Sequence, residues 1–177
     1  ATTVLRRHGQ LKAILATYLS KPLPQSGRRA ELILMVGAAQ LLFVGSPAHA
    51  VLNTAVALSR QHRQSARFDK LINAVLRRIS ETGAERLAEC SDVTTNFPEW
   101  MLAGWRAAYG AETASTIAAA SLTAPALDLT AKSDPAVVAA AVGGIILPTG
   151  TVRRKNDGRI DALPGFEAGE WWVQDTA

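Results

Sequence analysis

The chain has 177 residues, 48% of them apolar and 19% charged. That is enough apolar mass for one main core and a small second one without covalent staples. A single cysteine, Cys90, excludes an internal disulfide and a cysteine-rich zinc site, and with no leader-like opening it points to a reducing, cytoplasmic compartment. The longest nearly uncharged run, Leu32 to Val44, is shorter than the roughly 20 residues of a membrane span, so it reads as a buried helix and no membrane contact is expected.

Net charge is +4, but the charge is unevenly divided. Residues 1–82 carry twelve Lys and Arg against three acids, a net +9, whereas residues 83–177 carry seven bases against twelve acids, a net −5. Only the front half has the electrostatics of a polyanion's partner.

In chain order, Leu11, Ile14, Leu15, Tyr18 and Leu19 recur at helical spacing and predict a helix over about Val4–Leu19, stopped by Lys21-Pro22-Leu23-Pro24. The chain thus opens inside a helix, which suggests that upstream residues precede it. A second helix is expected from just after Gly27 to about Val44, with small residues Gly37, Ala38 and Ala39 permitting close contact with neighbours. Gly45 ends it, and Ser46-Pro47 begins a third with a capping hydroxyl and a proline at the first helical position. The third runs to about Arg63 with Val51, Leu52, Ala55, Val56 and Leu58 inward. The fourth, about Ala66–Thr82, buries Phe68, Leu71, Ile72, Val75, Leu76 and Ile79 and is closed by Gly83. Short connections between four helices, one of them apolar almost all round, predict a helical bundle with a buried central helix.

Two further helices follow, Pro98–Tyr109 and about Glu112–Leu122, ending before Pro125. Then the texture changes. Leu127-Asp128-Leu129-Thr130, a helical stretch near Pro135–Val142, Ile145-Ile146-Leu147, Thr151-Val152 and Ile160 form short β-prone runs punctuated by Gly and Pro, a small incomplete α+β segment. Trp171 and Trp172 stand together near the end of the chain, where an absent partner domain is expected to cover them. The fold class is therefore mainly α, a bundle over residues 1–83, two linker helices over 84–124 and the small α+β segment over 125–177.

No nucleotide-binding glycine fingerprint, phosphate loop, zinc-protease helix or nucleophile elbow is present. His8, His49 and His62 lack companions at ligand spacing and read as structural or surface residues, so no metal is assigned. Cys90 lies between Glu89 and Ser91, a poor setting for a nucleophilic thiolate. Asp128, Asp134, Asp157 and Asp161 read as solvated turn acids. No catalytic residue is assigned.

The basic residues carry the functional reading. Arg6 and Arg7 lie beside the Leu11/Ile14/Leu15 face, Arg60, Arg63, Arg67 and Lys70 bracket the junction of the third and fourth helices, and Arg77 and Arg78 follow. Lys70, Asn73 and Arg77, three and four residues apart, share one stripe whose donors suit phosphate oxygens or exposed base edges. A solvated helix face is the bland alternative; the +9 balance tips the reading to nucleic acid. With only Tyr18, Phe43 and Phe68 as aromatics in this half, and at least two of them read as buried, base stacking is not expected to be the main mode of contact.

Several stretches together resemble one family. They are Leu5-Arg6-Arg7-His8-Gly9-Gln10-Leu11, Gly37-Ala38-Ala39-Gln40-Leu41-Leu42-Phe43, Pro47-Ala48-His49-Ala50 and Leu71-Ile72-Asn73-Ala74-Val75-Leu76-Arg77-Arg78. In that order they resemble the NusB-like domain that precedes the catalytic domain of Sun/Fmu (RsmB-type) small-subunit rRNA cytosine-C5 methyltransferases. Asn96-Phe97-Pro98-Glu99-Trp100 with Trp105 and Tyr109-Gly110, then Leu163-Pro164-Gly165-Phe166 and Gly169 through Asp175, resemble the segment that joins that domain to the methyltransferase fold.

The resemblance implies a whole enzyme that uses S-adenosylmethionine to methylate carbon 5 of a cytosine in small-subunit rRNA, with two catalytic cysteines in a domain beyond this chain. Cys90 matches neither cysteine motif, so no catalytic or cofactor-binding residue is carried over, and the chain alone is expected to be inactive. The expected partners are small-subunit rRNA and the chain's own absent methyltransferase domain. Where relatives in the wider family have Arg-Val-Asn, this chain has Leu127-Asp128-Leu129-Thr130-Ala131-Lys132, so no RNA contact is assigned to that strand. The alternative is a NusB-like module that docks another protein and makes no direct RNA contact.

Overall fold

Apolar residues at helical spacing place most of the chain in helices, and the computed structural model describes residues 1–90, 92–155 and 158–176. It divides into two compact units, Ala1–Leu122 and Thr123–Ala177.

The first unit is all helical. Its elements are α1 (Thr2–Arg6), α2 (His8–Tyr18), α3 (Arg28–Ala39), α4 (Ala48–Arg60), α5 (Arg63–Ala66), α6 (Asp69–Glu89), α7 (Glu99–Tyr109) and α8 (Ala111–Ser121). α3 is the central helix: it packs on α2, α4 and α6. Around it Leu11, Ile14, Leu34, Ala38, Ile72, Leu76 and Ile79 are almost wholly buried. Gly37 makes that closeness possible, because a Cβ there would lie 2.7 Å from both methyls of Leu76.

Several local expectations are corrected. The first predicted helix is broken at Arg7, whose φ of −107° and ψ of 20° interrupt the α geometry between α1 and α2. After α3 the chain widens into a five-residue π-helical turn, Gln40–Val44, before Gly45 turns left-handed at φ 70°. Leu32, Val36 and Val44 are exposed, so the nearly uncharged run is not buried all round. Pro47 is itself the residue before α4, and no side-chain cap bond is made there by Ser46. α4 stops at Arg60, three residues early, because the buried Ser65 hydroxyl takes the Ser59 carbonyl at 2.7 Å and draws the chain into the separate short α5. Leu58 faces outward. Gly83 does not close the fourth predicted helix: α6 runs through it to Glu89. The reason is packing, since a Cβ on the buried Gly83 would lie 2.8 Å from Leu42 Cδ2.

α7 and α8 form a helical hairpin. Phe97 and Trp105 meet at 5.3 Å between ring centroids, and Leu102, Ala114, Ala118 and Leu122 are buried.

The second unit is a four-stranded antiparallel sheet in the order β2-β3-β1-β4, built from β1 (Leu127–Ala131), β2 (Ile145–Ile146), β3 (Val152–Arg154) and β4 (Trp171–Val173), with α9 (Pro135–Val142) between β1 and β2. Asp134 caps α9 by accepting from Ala136 N at 2.8 Å, and Pro135 follows in the first turn. Leu127, Leu129, Val152 and Trp171 pack against Val138, Ala139 and Val142 of α9. Strand alternation places Asp128, Thr130, Arg153 and Trp172 on the other face. The tryptophan expectation is half corrected. Trp171 is buried within its own unit, with its indole N–H donating to Pro164 O at 2.8 Å, while Trp172 stays 44% exposed.

Candidate nucleic-acid interface

α4 and α6 lie against each other, and their polar flanks bound a groove of about 370 Å3 lined by Asn53, Val56, Ala57, Arg60, Asp69, Lys70 and Asn73. The helical repeat makes this arrangement. Asn53 and Arg60 are two turns apart on α4, while Lys70, Asn73 and Arg77 follow one stripe of α6, opposite the side that buries Ile72, Val75 and Ile79. Arg60 Nε donates to Asp69 Oδ2 at 3.0 Å, and this hydrogen bond holds the Asp69 carboxyl below the usual carboxylate range. The one acid in the groove is thereby partnered, and Lys70 with the amides of Asn53 and Asn73 supplies exposed donors and acceptors along its walls.

The structure sorts the nine predicted contact residues into three groups. Arg60, Lys70 and Asn73 share the groove, and Arg77 continues their stripe one turn on, with Glu81 at 3.7 Å as a loose exposed partner. Arg7, Arg67 and Arg78 are instead laid over the three aromatics of the front half: Arg7 over Phe43 at 5.2 Å, Arg67 over Phe68 at 4.9 Å and Arg78 over Tyr18 at 5.2 Å. Arg7 also donates to Gln10 Oε1, and Arg67 to the Ser26 hydroxyl. Arg6, half-buried on α1, and Arg63, exposed on α5, lie outside the groove. Tyr18 is buried, but Phe43 and Phe68 are only half-buried, each with an arginine over one face of its ring.

Asn53 escapes a charge-based reading because it carries none. Its sevenfold spacing from Arg60 is the signal that could have found it, but only the α4–α6 packing shows that both face Lys70 and Asn73. His8, His49 and His62 are all exposed. Cys90 is half-buried and its carbonyl accepts from Gln10 Nε2 at 3.0 Å; its neighbour Ser91, like Asp157, lies outside the described residues. Asp128 is not a solvated turn acid but is buried opposite Arg153. Asp161 pairs with Arg159 and Asp134 is the cap of α9. Among the described residues no cluster of three or more His, Cys, Asp or Glu is placed to hold a metal, and no helix is long and apolar enough to cross a membrane. The connection from β1 to α9, Lys132-Ser133-Asp134, contains no glycine, so it does not fit a nucleotide-type cofactor as a glycine-rich strand-to-helix turn would.

Residues 1–81 match the NusB family. Over 184 residues the chain is 31% identical to the ribosomal RNA small subunit methyltransferase B of Xanthomonas campestris pv. campestris, an alignment covering 97% of this chain and 40% of that protein. The proteins of the same name from Escherichia coli K12 and Cronobacter sakazakii are each 30% identical over 189 residues, covering 98% of this chain and 43% of theirs. The chain spans about two fifths of the length of these curated relatives.

Proposed function

We propose that this segment, whose residues 1–81 match the NusB family and nearly all of which is similar to ribosomal RNA small subunit methyltransferases B, recognises small-subunit rRNA for an enzyme of the Sun/Fmu (RsmB-type) kind. The observation that carries the reading is the convergence of Asn53, Arg60, Lys70 and Asn73 in one groove, continued by Arg77, in the half of the chain with a net +9. Lys70 in the groove and Arg77 farther along the same stripe suit phosphates, and the amides of Asn53 and Asn73 suit base or ribose edges. Arg6, Arg7, Arg63, Arg67 and Arg78 then add field around the groove more than direct contacts.

On this reading residues 1–83 supply the RNA contacts, 84–124 link, and 125–177 lead toward a methyltransferase domain. The whole protein would transfer a methyl group from S-adenosylmethionine to carbon 5 of a cytosine, in the cytoplasm. The chain alone would bind RNA weakly and methylate nothing.

Fluorescence anisotropy tests it. The 177-residue chain should bind a small-subunit rRNA segment more tightly than matched duplex DNA. Its affinity should fall steeply with salt, and Lys70→Glu should weaken it about tenfold, the weight of a charge reversal among phosphates. Equal affinity for both nucleic acids at low salt, or affinity indifferent to Lys70→Glu, would sink the reading.

A further inference from the structure

The opposite flank of α4 bounds a second groove of different chemistry. Between α3 and α4, Leu32, Val36 and Leu58 stand 53%, 46% and 41% exposed over the buried Ile33, in a groove of about 510 Å3. Leu32 and Val36 are one turn apart on α3, so they form a stripe rather than scattered surface residues. One end is cationic: Arg28 and Arg29, in the first turn of α3, line it with His62, and no acid does among the described residues. Neither arginine makes an ion pair with a described residue.

We infer that this α3–α4 groove docks a short amphipathic protein segment, its apolar side chains on Leu32, Val36 and Leu58 and its carboxylates at Arg28 and Arg29. Its floor of Leu32, Ile33, Val36 and Leu58 is aliphatic, with His62 and Gln64 as the polar lining beside the two arginines, whereas the Asn53–Asn73 groove is lined mostly by polar side chains. A second copy of the chain fits poorly, because its own patch carries no carboxylate among the described residues to meet Arg28 and Arg29. An acidic amphipathic segment satisfies both halves, laying one apolar helix face in the groove with its carboxylates at the positive end of α3. α4 thus separates two surfaces, a polar one toward α6 and an apolar one toward α3.

The test titrates the 177-residue protein with a fluorescein-labelled amphipathic peptide that has leucine on one face and glutamate on the other, and with its counterpart carrying lysine for every glutamate. The glutamate peptide should bind saturably and the lysine peptide far more weakly. Val36→Asp should reduce binding of the glutamate peptide by about tenfold or more, and the Arg28→Glu/Arg29→Glu pair by a similar factor. Leu58→Ser on the other wall guards against a fold defect in α3 and should act in the same direction. Lys70→Glu should leave peptide binding unchanged while weakening RNA, so the two grooves fail or stand independently. Equal binding of both peptides, indifference to Val36→Asp and Leu58→Ser, or displacement of the peptide by an rRNA oligonucleotide overturns the inference. So does a concentration-dependent dimer abolished by Val36→Asp, which would assign the groove to a second copy.

Discussion

Gln10 and Asn96, 86 positions apart, exchange two hydrogen bonds: the backbone N–H of Gln10 donates to Asn96 Oδ1 at 3.0 Å, and Asn96 Nδ2 donates to Gln10 Oε1 at 3.0 Å. Gln10 is 3% exposed and adds a bond from Nε2 to the Cys90 carbonyl. The pair fastens the segment after α6 to the N-terminal turns of α2. Asn96→Ala leaves the Gln10 N–H without its partner beside a buried side chain, while Gln10 Oε1 keeps only its bond from Arg7, at a cost of about 1–3 kcal/mol. Denaturant unfolding reads this directly, and a midpoint within error of the parent would mean that water replaces Asn96.

Gly9 sits in the same contact. A Cβ at that position would collide with the Thr95 carbonyl, which is backbone and cannot rotate away. Gly9→Ala should therefore displace the segment around residues 92–96 and lower stability by more than 1 kcal/mol or so, where an exposed helical Gly→Ala change normally raises it. Amide exchange at Thr94 and Phe97 should quicken in the variant; unchanged protection there would contradict the close approach.

Arg77 and Arg78 are neighbours in sequence but not in role. Arg77→Glu should weaken RNA binding and lower the salt slope by about one, because a phosphate contact is lost. Arg78→Glu should spare RNA affinity by comparison and instead cost about 0.5–1 kcal/mol of stability through its lost contact with the Tyr18 ring. Equal loss of RNA affinity from both would show that general charge matters and the stripe does not.

Gly37→Ala pushes a methyl into the fully buried Leu76, whose two methyls lie 2.7 Å from the new Cβ position. Overpacking of this kind costs about 1–3 kcal/mol. Trimming the obstruction as Gly37→Ala/Leu76→Val should recover part of that loss, a non-additivity that a double-mutant cycle measures. Strict additivity would show that α3 and α6 do not meet here.

In the sheet, Arg153 donates to both Asp128 oxygens at 2.7 Å, and these bonds hold the Asp128 carboxyl below its ordinary range against the opposing pull of burial. A carboxylate with a depressed folded pKa contributes stability above its unfolded value, about 3.9, and loses it as pH falls through the folded value. The parent should therefore exceed Asp128→Asn in stability at pH 7 by about 1–2 kcal/mol, discounted because the Arg153 side chain is 40% exposed. The advantage should shrink below about pH 4. Urea titrations of both proteins at pH 7 and pH 3 give the comparison, and a gap of the same size at both would exclude the ion pair as its source.

What the sequence made legible follows the range of each interaction. The 3–4–7–8 spacing of Leu71, Ile72, Val75, Leu76 and Ile79 is local, and α6 covers those positions; Asp134, Pro135 and Gly143 frame α9 at its expected place. Gly83 misled because a glycine in helical context signals a stop only when solvent surrounds it. Here Leu42, forty-one positions earlier, occupies the space a side chain would need. Asp128 misled in the same way: its partner is fixed by the β1–β3 register, which no window of sequence contains. Among the basic residues, charge alone could not separate those laid on rings from those facing a groove. Asn53 carries no charge and joins Lys70 and Asn73 only through tertiary packing.

The π-helical turn after α3 has a last consequence. By taking up one more residue per turn than an α-helix, it acts as a phase shifter, so the consecutive side chains Leu42 and Phe43 are dealt to different neighbours. Leu42 reaches the Gly83 position of α6, and Phe43 lies under Arg7 at the joint between α1 and α2. A single widened turn thus sets the angular timing of two helices that never adjoin it in sequence. The length of the Gln40–Val44 segment is a dimension of the bundle in its own right, and a one-residue deletion there would put both contacts out of step at once.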